Sequence, residues 1–264
     1  MLIAQISDLH VCAEGVLYKG VADSNAMLIK AIDHIHQLDK RPDLVLITGD
    51  LVADGLVEEY EVAVQLLSRL KIPYLVIPGN HDIHQHFRAA FASHLYLPST
   101  KPFHYVVDNY PVRIVAIDCC LDGTHSGSID EVGLKWLKQT LNSNHDKPTL
   151  IIAHHPPFIS GISYLDEYRF LQTDELAHII KSAPNIEAVL VGHVHRSMVH
   201  RWAGTVVLAC PSTTTEIALR LDANAQPQSY VGPGAYLLHL WSEKQGLVSH
   251  LCHVDEQNGP HNFF

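Results

Sequence analysis

Four apolar, β-branched runs in this chain each stop at a short polar block, and that juxtaposition limits the folds open to it. Leu2-Ile3-Ala4-Gln5-Ile6 leads to Asp8-Leu9-His10, and Leu44-Val45-Leu46-Ile47 leads to Gly49-Asp50. Leu150-Ile151-Ile152-Ala153 leads to His154-His155, and Ala188-Val189-Leu190-Val191 leads to Gly192-His193-Val194-His195. A fifth block, Gly79-Asn80-His81-Asp82, follows Tyr74-Leu75-Val76-Ile77 and Pro78. Such runs read as buried strands, so the polar blocks fall at strand ends. Strands of a buried sheet that run the same way deliver their C-terminal loops to one edge, where ligands of α/β folds bind. Asp, Asn and His residues distant in sequence thus converge on one rim, and the mixture is metal-ligand chemistry.

Asp8, His10, Asp50, Asn80, His154, His193 and His195 make seven donors. That is too many for one ion that must keep an open position, but enough for two if one carboxylate bridges. Asp50, a lone ligand between the first and third blocks, is the natural bridge. Taken singly, each block has a plain structural reading: a chance His pair, a strand-end turn, an Asn tolerating positive φ. Five blocks in one order, each behind a predicted strand, outweigh those readings.

With these blocks the chain resembles the calcineurin-like metallophosphoesterases, whose pattern is D-x-H, G-D, G-N-H-D/E, H and G-H-x-H. It is most similar to the bacterial branch of class III cyclic-nucleotide phosphodiesterases and glycerophosphodiesterases. The similarity runs from Met1 to about Val254. It implies one ion held by Asp8, His10, Asp50 and His195, and a second held by Asp50, Asn80, His154 and His193. His154, the first His after its strand, is matched to the family ligand in preference to His155. His193 and His195 are expected to share one side of an extended segment, with Val194 turned into the core. The ions are expected to be divalent or trivalent, among Fe, Mn, Zn and Co.

The resemblance implies hydrolysis by a metal-bridging hydroxide. Two divalent ions offset by Asp8 and Asp50 leave a net positive site that attracts phosphate and lowers the pKa of a bridging water. Catalytic roles fall to His81, which holds the phosphate and helps the leaving oxygen depart, and to Asp82, expected to orient His81. Asn80, His81 and His155 are the substrate-binding candidates, His155 being either a phosphate contact or a packing group. His34, His36, His84, His86, His104 and His145 read as surface or satisfied histidines.

Substrate class is narrowed by what is missing. Phosphoprotein phosphatases of the superfamily carry an Arg after the G-D block to clamp a phosphate dianion, whereas Asp50 is followed by Leu51-Val52-Ala53-Asp54-Gly55. A less positive site suits a monoanionic diester. A formal net charge of -10 without a basic stripe argues against long DNA or RNA. The expected activity is phosphodiesterase action on small diesters, 3',5'-cyclic nucleotides such as cAMP first and glycerophosphodiesters second. The competing reading from another class is a binding scaffold that keeps the fold without catalysis, although such a scaffold is expected to have lost ligands.

Composition supports one compact enzyme. At 264 residues and 47% hydrophobic, the chain can bury a two-sheet core as a single domain over 1–264. No stretch reaches the ~18 uninterrupted apolar residues of a membrane span, and no basic leader precedes Leu2. Cys12, Cys119, Cys120, Cys210 and Cys252 are odd in number and lack zinc-motif spacing, which points to reduced thiols and a cytoplasmic location.

Helices are expected over Asn25 to Leu38, Glu58 to Leu70, Asp130 to Leu141 and Thr173 to Lys181. Val62, Leu66, Leu67 and Leu70 should form the apolar face of the second, and Trp136 and Leu137 should point inward from the third. Further strands are expected near His104 to Val107, Val112 to Asp118, Thr205 to Ala209, Tyr236 to Leu240 and Leu247 to His253. This α/β count matches the family's four-layer αββα sandwich, two mixed β-sheets flanked by helices. Segments 158–172, with Tyr164, Tyr168 and Phe170, and 211–234 read as loop inserts over the active rim that set substrate choice. Hydroxyls of Pro211 to Thr215 are expected near substrate. The family often dimerises, so a homodimer or higher homo-oligomer is expected, with the Phe263-Phe264 end as a contact or a frayed tail.

Overall fold

Two mixed sheets carry the five polar blocks at facing edges. In this computed structural model, which describes residues 1–255 and 261–262, β1 (Leu2–Ile6), β2 (Leu44–Thr48) and β3 (Tyr74–Ile77) run parallel. The antiparallel pair β12 (Ala235–Ser242) and β13 (Gly246–His253) completes that sheet in the order β13-β12-β1-β2-β3. The second sheet contains β4 (Tyr105–Val107), β5 (Arg113–Ala116), β6 (Thr149–Ile152), β7 (Ile186–Val191), β8 (Met198–Trp202) and β9 (Thr205–Ala209), in the order β4-β5-β6-β7-β9-β8. A two-stranded ribbon, β10 (Thr215–Ile217) with β11 (Ser229–Val231), stands apart.

The period-2 pleat explains the layering. Ile114, Ala116, Leu150, Ile152, Ala188 and Leu190 face the first sheet and share its core. Their neighbours Val115, Ile151, Val189 and Val191 face the opposite way, into a second core with α4 (Glu131–Asn142) and α6 (Thr173–Lys181). Helices α1 (Ser24–Gln37), α2 (Val57–Leu67) and α3 (His84–Ala90) contribute Leu28, Ile32, Tyr60, Ala63 and Phe87 to the first core. The result is the expected αββα sandwich. Both faces of the central strands β1, β2, β5 and β6 are covered, which is why their runs are almost continuously apolar.

Helix positions agree with the sequence periodicity to within a few residues, and Thr173–Lys181 agrees at both ends. Two short helices, α3 and α5 (Ser163–Asp166), and strands β8, β10 and β11 lack a clear apolar period and were not expected. β8 shows why: at a sheet edge it buries no residue fully, so nothing imposes a regular apolar alternation on Met198 to Trp202. In α2 the buried stripe is Tyr60, Ala63 and Leu67, while Val62 and Leu66 are half-buried at its flank. Trp136 is only half-buried and stacks on His104, with Leu137 fully inside. The Phe263-Phe264 end lies outside the described residues.

Gln5 is a buried polar exception in β1 that ties the sheets together. Its amide donates to Thr48 Oγ1 in β2 and to the Val191 carbonyl in β7, both 3.0 Å away. One side chain therefore fixes the offset between the two sheet edges that hold Asp50 and His193.

Candidate metal centre

All seven candidate ligands meet at the junction of the two sheet edges. The loops that carry them are locked to one another by backbone bonds: Asp8 N to Gly49 O, His10 N to Asp50 O and Gly192 N to His154 O, at 2.9–3.0 Å. Asp8, His10, Asp50, His193 and His195 all have positive φ, between 45° and 70°. For residues with a Cβ this left-handed backbone is costly and persists only where surrounding structure enforces it, a recurrent mark of functional sites. It also corrects the extended geometry expected of Gly192 to His195. The segment turns sharply, yet Val194 is buried in the second core as expected.

The first donor set comprises Asp8, His10, Asp50 and His195, with one ligand atom of each lying within 4.8 Å of all the others. His195 Nδ1 donates to the Thr215 carbonyl at 3.0 Å, so its Nε2 keeps a lone pair. That atom lies 3.0 Å from His10 Nε2 and 3.4 Å from Asp8 Oδ1. The second set gathers on Asn80, whose Oδ1 is 3.1 Å from His154 Nε2 and 2.8 Å from His193 Nδ1. His154 Nδ1 donates to the Thr48 carbonyl at 2.8 Å, which again turns the Nε2 lone pair inward. Asp50 joins the sets. Its Oδ2 is 3.4 Å from His154 Nε2 and 3.8 Å from His10 Nε2, while its Oδ1 accepts the His81 amide at 2.8 Å.

Electrostatics test whether these residues fit cations. Burial works to raise the pKa of Asp50, but neighbouring imidazoles, His154 foremost, hold it well below the usual carboxylate range. Burial disfavours charge on His154, yet Asp50 overrides it and pushes the imidazole up to about 10, so the proton that Asp50 favours on Nε2 has to be displaced before that nitrogen can bind a cation. Burial lowers His10 and His193 instead, leaving both neutral with lone pairs. Asp8 rises through burial. Inward lone pairs thus face two buried carboxylates, an arrangement that demands a positive charge between them. His193 Nε2 and His10 Nδ1 are buried without a hydrogen-bond partner, so the ring nitrogens are not organised as a self-sufficient network. Hard and borderline donors in two sets joined by a carboxylate fit a pair of metal ions.

Several candidate roles change. Asp82 does not orient His81: its carboxylate accepts Gly79 N at 2.8 Å, Leu51 N at 3.1 Å and the Tyr60 hydroxyl at 2.8 Å. It braces the two loops beside Asp50 and Asn80. His81 Nδ1 donates instead to the Ala53 carbonyl at 2.6 Å, which directs Nε2 toward the cleft. His155 is fully buried, bonded to the His125 carbonyl at 2.8 Å and set against Cys119, so it is not a substrate contact. Ser212 and Thr214 point away from the cleft to donate to the carbonyls of Asp8 and Leu9 at 2.7 and 2.9 Å. They support the first block from behind.

Other residues were missed. His125 Nδ1 accepts from Asn80 Nδ2 at 2.9 Å, which fixes the amide with its oxygen inward. Tyr18 stacks on His10 with ring centroids 4.3 Å apart. Both lie on the cleft over the centre with Lys19, Tyr164 and Tyr168. No sequence pattern marks them, because their partners lie up to 45 residues away. Phe170, by contrast, is buried in the second core.

Comparison with known proteins agrees with this geometry. Residues 1–197 match the family model described as calcineurin-like phosphoesterase. The chain is 32% identical over 265 residues to a protein of Arcobacter nitrofigilis named "Probable glycerophosphodiester phosphodiesterase", covering 100% of this chain and 97% of that one. It is 30% identical over 218 residues to the 3',5'-cyclic adenosine monophosphate phosphodiesterase of Escherichia coli K12, covering 81% and 76%. Among solved structures, a dimetal phosphatase from Danio rerio superposes with a TM-score of 0.62 at 12% identity, over 97% of this chain and 99% of that one. That last likeness is one of fold.

Proposed function

The chain belongs to the calcineurin-like phosphoesterase family, and on that premise we propose that it is a metal-dependent phosphodiesterase that hydrolyses small diesters, with 3',5'-cyclic nucleotides as the leading class. The observation that carries the proposal is Asp50, whose carboxylate is shared by both donor sets at the meeting point of the two sheets. One ion is assigned to Asp8, His10, Asp50 and His195, the other to Asp50, Asn80, His154 and His193. Mn, Fe, Zn and Co all suit these mixed ligands. When bound, the two ions would supply Lewis-acid polarisation and a nucleophile active near neutral pH.

The chain's own groups set substrate geometry. His81, anchored through Nδ1 to Ala53, presents Nε2 to the cleft, where in its protonated form it can hold a phosphate oxygen and give a proton to the leaving alkoxide. Leu51, Val52 and Ala53 are buried where a dianion clamp would have to stand. Lys19 is the only Lys or Arg among the described residues lining the cleft. A monoanionic diester suits that modest charge. Tyr164 and Tyr168 line the cleft, which places aromatic rings where a base can stack.

A second reading, glycerophosphodiester hydrolysis, is favoured by the end-to-end match to the Arcobacter nitrofigilis relative. Metal-loaded protein assayed on cyclic AMP and glycerophosphoethanolamine, with an aryl phosphomonoester as control, separates these readings by kcat/KM. Preference for the monoester would refute the diester assignment. No turnover of any ester at full metal occupancy would favour the scaffold reading. No helix among the described residues is long and apolar enough to cross a membrane, and a small-molecule diester is the proposed partner. A homo-oligomer and a cytoplasmic location remain part of the proposal.

A further inference from the structure

Behind the second donor set lies a cluster with different chemistry. Cys119 Sγ, Cys120 Sγ and His155 Nδ1 all lie within 4.8 Å of one another, with Cys119 Sγ 3.3 Å from His155 Nδ1. His155 Nε2 donates to the His125 carbonyl, so the tautomer leaves a lone pair on Nδ1 facing the sulfur. Gly127 packs so closely on this ring that a Cβ there would lie 2.6 Å from His155 Nδ1, and the imidazole is thus held in place. Cys119 and His155 are buried, whereas Cys120 is half-buried and lines an opening shared with Asn80 and His81. The Cys120 side of the cluster therefore borders this opening.

We propose that Cys119, Cys120 and His155 form a third metal site, separate from the dinuclear centre, that takes a thiophilic divalent cation such as Zn²⁺ or Cd²⁺ and thereby inhibits hydrolysis. Charge supports this: two thiolates neutralise a divalent ion, so the complex can be buried without residual charge. Binding releases the two thiol protons to solvent, with no change in oxidation state. Size agrees as well. Tetrahedral Zn–S bonds of ~2.3 Å place two sulfurs about 3.8 Å apart, within the reach of the present spacing after a shift of about 1 Å. Soft sulfur donors also separate this site from the O- and N-rich centre beside it.

Inhibition follows from the cluster's attachments. Cys120 Sγ donates to the Pro78 carbonyl at 3.3 Å, two residues before Asn80. His155 follows His154 directly, and its other nitrogen holds the carbonyl of His125, the residue that orients the Asn80 amide. Drawing the two sulfurs and the imidazole onto one ion pulls on all three attachments at once.

The test uses full-length protein loaded with Mn²⁺ and titrated with Cd²⁺. The readouts are the ultraviolet sulfur-to-cadmium charge-transfer band, total Mn and Cd per chain, and hydrolysis of an aryl phosphodiester. The wild type should gain one Cd²⁺ with the band, keep its Mn²⁺, and lose at least tenfold in kcat. Cys120→Ser and Cys119→Ala, each measured against its own cadmium-free rate, should lack the band and resist inhibition. Cys120→Ser is the variant to rely on if the buried Cys119 change impairs folding. No band in the wild type, an undiminished band in Cys120→Ser, or inhibition accompanied by loss of Mn²⁺ would each overturn the proposal. None of these results depends on which diester the enzyme prefers.

Discussion

Replacing Tyr60 by Phe removes a single oxygen that holds two groups. The Tyr60 hydroxyl donates to Asp82 Oδ1 at 2.8 Å and accepts from Ile83 N at 3.1 Å, and the residue is 2% exposed. The first bond is to a carboxylate, worth about 1.5–3 kcal/mol, and the second is neutral, worth about 1 kcal/mol, so the loss should be about 2.5–4 kcal/mol. For a chain of this length that corresponds to a Tm decrease of roughly 5–15 °C. The effect should depend on pH. Burial, with repulsion from Asp50, pushes the Asp82 carboxyl up to about 6, so its charged form is the disfavoured one in the fold. The Tyr60 bond relieves that penalty. The variant should therefore lose most above pH 6 and progressively less as Asp82 takes up its proton below pH 6. Thermal and urea melts of chelator-treated wild type, Tyr60→Phe, Asp82→Asn and the double variant between pH 5 and 8 provide the check. A loss below 0.5 kcal/mol, or single losses that simply add in the double variant, would refute the bracing role of this pair.

His81→Ala should leave metal content intact while lowering kcat roughly 10²-fold. The loss should be greater for an alkoxide leaving group than for nitrophenolate, and elemental analysis with the two substrates checks both points. Asp50→Ala removes the carboxylate common to both donor sets and should abolish hydrolysis with loss of bound metal; two ions and normal turnover would refute the shared role. Gly79→Ala would bring a Cβ to 2.2 Å from both the Asp50 amide nitrogen and Oδ1, displacing that carboxylate. Metal affinity should fall before stability does, as followed by competition with a chelating dye. His239 is buried, donates to Gln5 Oε1 at 3.1 Å, and is lowered to about 3 by burial. Its folded form stays neutral while the unfolded imidazole protonates below pH 6.5. Stability is thus fully retained above pH 6.5 and lost at roughly 1.4 kcal/mol per unit as pH falls toward 3. Urea melts of His239→Gln should lack that component.

The amino-acid sequence by itself determined where the seven donors would stand. Apolar β-branched runs mark buried strands by composition alone, and a polar block directly after such a run has only the strand's end to occupy. Parallel pairing of β1 with β2 and of β2 with β3 then brings Asp8, Asp50 and Asn80 to the edge of one sheet, and pairing of β6 with β7 brings His154 and His193 to the edge of the other. Tertiary structure decided what each side chain does there. Asp82 follows His81 in sequence, yet its partners are Tyr60 and two backbone amides, while His81 reaches Ala53. His155 stands beside His154 but turns toward Cys119, since adjacent residues leaving a strand face opposite sides. Asp and His enter the left-handed region more readily than most residues, but that tolerance does not mark which of the chain's many Asp and His residues do so; at Asp8, His10, Asp50, His193 and His195 the surrounding loops enforce it. Periodicity encodes which face a residue takes; its hydrogen-bond partner is chosen by segments tens of residues away that only the folded chain brings within 3 Å.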